Sequence, residues 1–175
     1  MASLPPADPA NDKVLVIGPR TIQELFLVQC HGYRPQNVLG IDLYSRHPRI
    51  LVDNMEDMKF KDDRFDFVMA CKTITYADDL ATAISEVARV LKPGGRFVFN
   101  HTFSPGSDHM PGNKIPSSVV MGFLRDANFE VYHHTVSDTV NKGGNQQSQH
   151  LYAARLVDLS NPSFDRAGLP ESVSA

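Results

Sequence analysis

Gly18-Pro19-Arg20 halts the apolar run Val14-Leu15-Val16-Ile17 and leads into a helix for which Thr21 is the candidate cap. A helix N-terminus offers free N–H groups and partial positive charge, and a glycine lets a ligand approach the backbone closely. Arg20 could pair with a carboxylate on that ligand. The plainer alternative is an ordinary strand-to-helix turn with Arg20 in solvent. Asp42 stands 24 residues after Gly18, at the end of a second apolar run. A carboxylate there can accept hydrogen bonds from both hydroxyls of a ribose. Asp53-Asn54-Met55-Glu56-Asp57-Met58 follows a third run. Met55 can cover an adenine face while its acidic and amide neighbours bond the exocyclic amine, or the segment is a solvated acidic loop. Turn and acid together favour a nucleoside ligand. The full Gly-x-Gly-x-x-Gly of pyrophosphate binding is absent.

These groups must be held by strands and helices that alternate. Strands are expected at 13–17, 37–42, 49–52, 65–71, 96–100, 129–132 and 149–154, from short β-branched or apolar runs bounded by turns. Helices are expected after Thr21 with Ile22, Leu25, Phe26 and Val28 or Gln29 inward, after Asp78-Asp79, and after Pro116. The second carries Leu80, Ala83, Ile84, Val87 and Leu91 at one-face spacing, and Lys92-Pro93-Gly94-Gly95 ends it. The third turns Val120, Phe123, Leu124 and Ala127 inward. The fold class that follows is α/β, Rossmann-like and doubly wound: a mostly parallel seven-stranded sheet closed by a terminal antiparallel hairpin. Residues 13–157 form the domain, 1–12 a flexible leader and 158–175 a loose tail; 101–114 read as a loop and 139–148 as a mobile connection. Ligands of such sheets bind beyond the carboxyl ends of the strands, so the loops after Ile17, Ile41, Val52, Cys71 and Asn100 are the ones to search.

Composition narrows the function. Net charge is −3 with no block of Lys or Arg, so no nucleic-acid partner is expected. No apolar run approaches the roughly 20 residues of a membrane span, and the N-terminus lacks a secretory signal. Cys30 and Cys71, 41 positions apart, make no disulfide framework, which fits a reducing cytosol. No His, Cys and Asp spacing suggests a metal.

Five segments resemble successive motifs of class I S-adenosylmethionine (SAM)-dependent methyltransferases of the type 11-like, small-molecule kind. They are Val14–Gly18, Gly40–Leu43, Asp53–Phe60, Phe65–Val68 and Val90–Phe97 with its Leu-Lys-Pro-Gly-Gly turn. The resemblance covers residues 13 to 135 and marks fold more than activity. Its first motif departs from the family pattern: Val16 stands where an acid is usual, and Pro19-Arg20 fill the turn, as in a subset with a Gly-x-Arg turn and a Glu-Leu pair like Glu24-Leu25. The resemblance implies SAM as cofactor, with Gly18 and Arg20 on the methionine part, Asp42 at the ribose, Met55 and Glu56 at the adenine, Cys71 and Lys72 beside the sulfonium, and Leu43 and Asn54 also among the cofactor-binding residues. It implies methyl transfer to a small metabolite, such as a sugar, natural product or similar hydroxyl or amine acceptor. Lys72-Thr73-Ile74-Thr75 replaces the Asn-Pro-Pro-aromatic signature, which argues against DNA bases and glutamine. Family members carry N-terminal helices over the substrate, and here twelve residues precede the first strand. A homodimer or a partner subunit is therefore expected to cover an open substrate face.

A hydroxyl acceptor would need a base, and His101, His109 and Tyr76 are the candidates near strand ends. His133-His134 reads as structural. Two other readings stand beside the first. One is a non-catalytic methyltransferase-like subunit that binds SAM or a protein partner. The other is a nicotinamide oxidoreductase, which explains Gly18 and Asp42 but not the Leu91-to-Gly95 turn, and the Tyr-x-x-x-Lys pair is absent.

Overall fold

The computed structural model describes residues 7–105, 111–140, 144 and 146–158. Strands β1 (Val14–Ile17), β2 (Val38–Asp42), β3 (Ile50–Val52) and β4 (Phe65–Ala70) are parallel, and β4 pairs in parallel with β5 (Leu91–Phe103). A terminal hairpin of β6 (Phe129–Val140) and β7 (Gln146–Leu156) adds on antiparallel, giving one seven-stranded sheet in the order β3-β2-β1-β4-β5-β7-β6. Helix α1 (Ile22–Cys30) covers one face; α2 (Leu80–Val90) and α3 (Ser117–Asp126) cover the other. The expected fold class is the one observed. No described helix is long and apolar enough to cross a membrane.

Burial explains why the central runs become strands. Val14, Leu15, Val16 and Ile17 are buried on both faces, so an uninterrupted apolar run is favoured there. Leu15 and Ile17 join the core under α2 and α3; Val14 and Val16 join the smaller one under α1. Phe97, Phe99 and Tyr152 stack in file across β5 and β7, with centroids 4.5 and 4.8 Å apart. In α2, Leu80, Ala83, Ile84, Val87 and Val90 are the buried stripe. Its cap is Asp79 alone, whose Oδ1 accepts the N–H of Ala81 at 3.0 Å; Asp78 turns to a cavity instead. Thr21 precedes α1 in extended conformation but its side chain caps nothing, and of the expected apolar positions Leu25 and Val28 are buried while Phe26 is exposed.

Four boundaries differ from the sequence reading. Leu91 belongs to β5, paired with Phe65, and Lys92–Gly95 is a bulge before Arg96 pairs with Phe67. Gly94 there has φ +79, which a side chain disfavours. β5 runs on to Phe103 because β7 offers it a ladder from Leu151 to Ser148. The hairpin extends into the expected mobile connection, with Val140 paired to Gln146. The described part of the leader, 7–12, is tied down rather than free: Arg34 N–H donates to Pro9 O at 3.3 Å, Asn37 Nδ2 to Ala10 O at 3.3 Å, and Asp12 pairs with Arg96. Residues 1–6 of that leader and 159–175 of the expected tail lie outside the described residues.

Candidate functional site

The loops after β1, β2, β3 and β4 surround one cavity of about 670 Å³, within the range of small-molecule sites. Gly18 closes β1 with φ +70, its N–H donating to Ile41 O at 2.8 Å. Asp42 ends β2; its Oδ1 accepts the N–H of Tyr44 at 3.1 Å, and Oδ2 is open among the described residues. The loop after β3 folds on its own polar groups. Asp53 accepts the N–H of Asn54 at 2.9 Å and of Lys59 at 3.0 Å, and Asn54 Oδ1 accepts the N–H of Glu56 at 3.0 Å.

That loop has no helix of its own and is braced by α2. Arg89 donates to Met58 O and Phe60 O, each at 2.8 Å, and to Asp62 and Glu86. Glu86 in turn accepts the N–H of Met58 at 2.9 Å. The Arg89 hydrogen bond holds the Glu86 carboxyl below the ordinary value. After β4, Lys72 takes a left-handed φ of +55, and Thr73 Oγ1 donates back to Cys71 O at 3.0 Å. This turn lays the Thr73 side chain over Gly18, where a Cβ would meet Thr73 Cβ at 2.8 Å. Glycine is thus required at position 18 both by its φ and by what lies above it.

Every expected cofactor residue lines this cavity: Gly18, Arg20, Asp42, Leu43, Asn54, Met55, Glu56, Cys71 and Lys72. Tyr76 also lines it, half exposed at 51%. Glu24, Asp53, Thr73, Asp78 and Asn100 complete much of the wall. Thr73 and Asn100 had no signal in the sequence beyond their places just past β4 and near the end of β5. The wall carries five carboxylates (Glu24, Asp42, Asp53, Glu56 and Asp78) against two cations (Arg20 and Lys72). Desolvation at the wall and then the Glu24 charge push the Cys71 thiol up, so it is a neutral group at physiological pH.

His101 is not part of this cavity. Strand alternation sends Asn100 to the cavity and His101 to the opposite face, fully buried, with Nε2 donating to Gly112 O at 3.0 Å. Its Nδ1 has no partner among the described residues, and burial lowers its pKa. His109 lies outside the described residues. His134 stacks on Tyr152 and bonds His150, in keeping with its structural reading. Among the described residues no group of three or more side chains could hold a metal.

A model of the methyltransferase domain family matches residues 26–99. A SAM-dependent methyltransferase from Methanosarcina mazei superposes with TM-score 0.62 at 21% identity, covering 83% of this chain and 92% of that one. The chain has the class I SAM-dependent methyltransferase fold. Another solved methyltransferase of this fold is the geranyl diphosphate C-methyltransferase of Streptomyces coelicolor, TM-score 0.69 at 20% identity, covering 88% of this chain and 75% of that one. Malonyl-[acyl-carrier protein] O-methyltransferase of Halorhodospira halophila is 34% identical over 90 residues, 44% of this chain and 30% of that protein. The chain spans 14% to 36% of the length of the curated relatives that it matches.

Proposed function

We propose that this chain is a SAM-dependent methyltransferase acting on a small hydroxyl- or amine-bearing metabolite, working in the cytosol. The observation that carries this reading is one cavity lined by groups suited to each part of SAM. Asp42 Oδ2 is open to a ribose hydroxyl. Glu56 spends Oε1 on the Asp79 N–H at 2.6 Å and keeps Oε2 for the exocyclic amine. Asn54 spends Oδ1 on Glu56 and keeps its amide N–H groups for the adenine ring. Met55 and Leu43 supply apolar contact. Arg20, beside the Gly18 turn, is the counter-ion for the amino-acid carboxylate. An excess of carboxylates suits a cationic ligand, and SAM is cationic.

When bound, SAM supplies an electrophilic methyl group on a sulfonium. The protein's share is positioning: a rigid wall on one side of the methyl and room for an acceptor on the other. Cys71 and Lys72 form the wall. Tyr76 stands where it can orient or deprotonate a hydroxyl acceptor, and it is the remaining described candidate for that role, His101 being turned away. The test is incubation with methyl-labelled SAM and a panel of small alcohols, sugars and amines. Label transfer with release of S-adenosylhomocysteine supports the reading; absence of both transfer and SAM binding overturns it.

A further inference from the structure

β6 ends the strand order, and no described residue pairs with its outer side. Residues 132–140 are exposed without interruption, so neither helix layer covers this half of the strand. Such an edge leaves alternate N–H and C=O groups without ladder partners, and natural sheets blunt long edges with Lys or Pro. Tyr132-His133-His134-Thr135-Val136-Ser137-Asp138-Thr139-Val140 has no Lys, Arg or Pro. Its β-branched residues favour pairing.

We infer that β6 pairs antiparallel with β6 of a second copy of this chain, about a twofold axis at Val136. His134, Val136, Asp138 and Val140 share one sheet face, that of their β7 partners Tyr152, His150, Ser148 and Gln146. A twofold axis keeps faces matched and sets residues opposite one another symmetrically about its centre. Centred on Val136, the pairing opposes His134 to the partner's Asp138 twice, Thr135 to Ser137 twice, and Val136 to its own counterpart. Centred on Thr135 it would oppose His134 to Val136; centred on Ser137 it would oppose Val136 to Asp138. The Val136 register alone matches a ring N–H donor with a carboxylate and apolar with apolar.

The two polar partners are prepared for it. His134 engages His150 through Nε2 at 3.1 Å, and among the described residues its Nδ1 is left for the partner's Asp138. Asp138 takes the Ser148 hydroxyl on Oδ1 at 2.6 Å, and among the described residues its Oδ2 is left. The bulge between Val131 and His133 limits the regular ladder to His133–Thr139; this seven-residue overlap makes roughly six to eight main-chain hydrogen bonds but little side-chain area, so the dimer belongs with weak, micromolar assemblies. The interface lies at the opposite edge of the sheet from β3 and leaves the cavity open in both copies. It does not depend on the methyltransferase reading.

Sedimentation velocity of the full chain, from low to high micromolar, is expected to show a monomer–dimer equilibrium. Val136→Lys opposes two ammonium groups at the axis and is expected to give monomer throughout, with the parent's melting temperature. Val136→Cys places the two thiols on Cα atoms about 4.5–5.5 Å apart, within disulfide reach. Under mild oxidant it is expected to form covalent dimer above the level of the parent, which carries Cys30 and Cys71. Thr139→Cys, with its two copies roughly 20 Å apart along the strands, is expected not to exceed the parent. A parent that stays monomeric at high micromolar, a dimer that persists in Val136→Lys, or equal cross-linking at 136 and 139 would overturn the inference. Should Val136→Lys fail to fold, the cysteine pair decides.

Discussion

Glu56 Oε1 accepts the backbone N–H of Asp79 at 2.6 Å, so a cavity-lining residue of the loop after β3 holds the first turn of α2. At the other end of the same helix, Arg89 and Glu86 hold Met58 and Phe60 of that loop. The loop that offers Asn54, Met55 and Glu56 to a nucleoside is therefore framed by a helix that contributes none of these side chains.

Removing the frame should loosen the site. Arg89→Ala strands two carbonyls and leaves Glu86 without its partner, at a cost of about 2–3 kcal/mol in urea unfolding. SAM affinity measured by calorimetry should fall with it. Arg89→Lys should recover little of either, because a single ammonium cannot reproduce the fork that spans Met58 O, Phe60 O and two carboxylates.

Gly18→Ala should be costly twice over. The left-handed φ of +70 disfavours any side chain, by about 1–2 kcal/mol, and the added methyl overlaps Thr73. Thermal melts should show a clear loss of stability, and calorimetry at least a tenfold loss of SAM affinity. Adding Thr73→Ala should restore part of the stability, since it removes the overlap but not the backbone strain.

The protein should lose stability on mild acidification. Burial is the first cause lowering the pKa of His101, His134 and His150 below the ordinary 6.5. Above 6.5 these groups are neutral in both folded and unfolded chains. As pH falls through 6.5 the unfolded chain takes up protons first, and the folded state loses ground until its own lower pKa values are reached. Melting temperature should be flat above neutrality and fall below it. His101→Gln, which keeps a donor for Gly112 O and does not titrate, should make that fall shallower.

Much of this was legible in the residues. β1 to β4 follow from short apolar runs stopped by turns, and α2 from one stripe of apolar positions. The nine expected cofactor residues fall on strand-end loops and meet because a parallel sheet gathers those loops at one edge. The outer reaches of β5, β6 and β7 were not legible: Thr102, Thr135, Ser137 and Ser148 carry no apolar alternation, and the ladder between neighbouring strands, not burial, makes them strands. His101 has the right chemistry at the right strand end, but with Phe97 and Phe99 facing the core, alternation sends His101 after them and leaves Asn100 to the cavity. Thr73 was missed because its contact with Gly18 depends on the left-handed Lys72, which no residue type announces.

Isothermal titration of SAM into the purified chain, set beside Asp42→Asn, tests the account most directly. One site per chain with micromolar affinity is expected, weakened about tenfold or more in the variant by loss of a charge-assisted hydrogen bond. No heat from SAM or S-adenosylhomocysteine at high micromolar concentration, or binding that Asp42→Asn leaves unchanged, would contradict it.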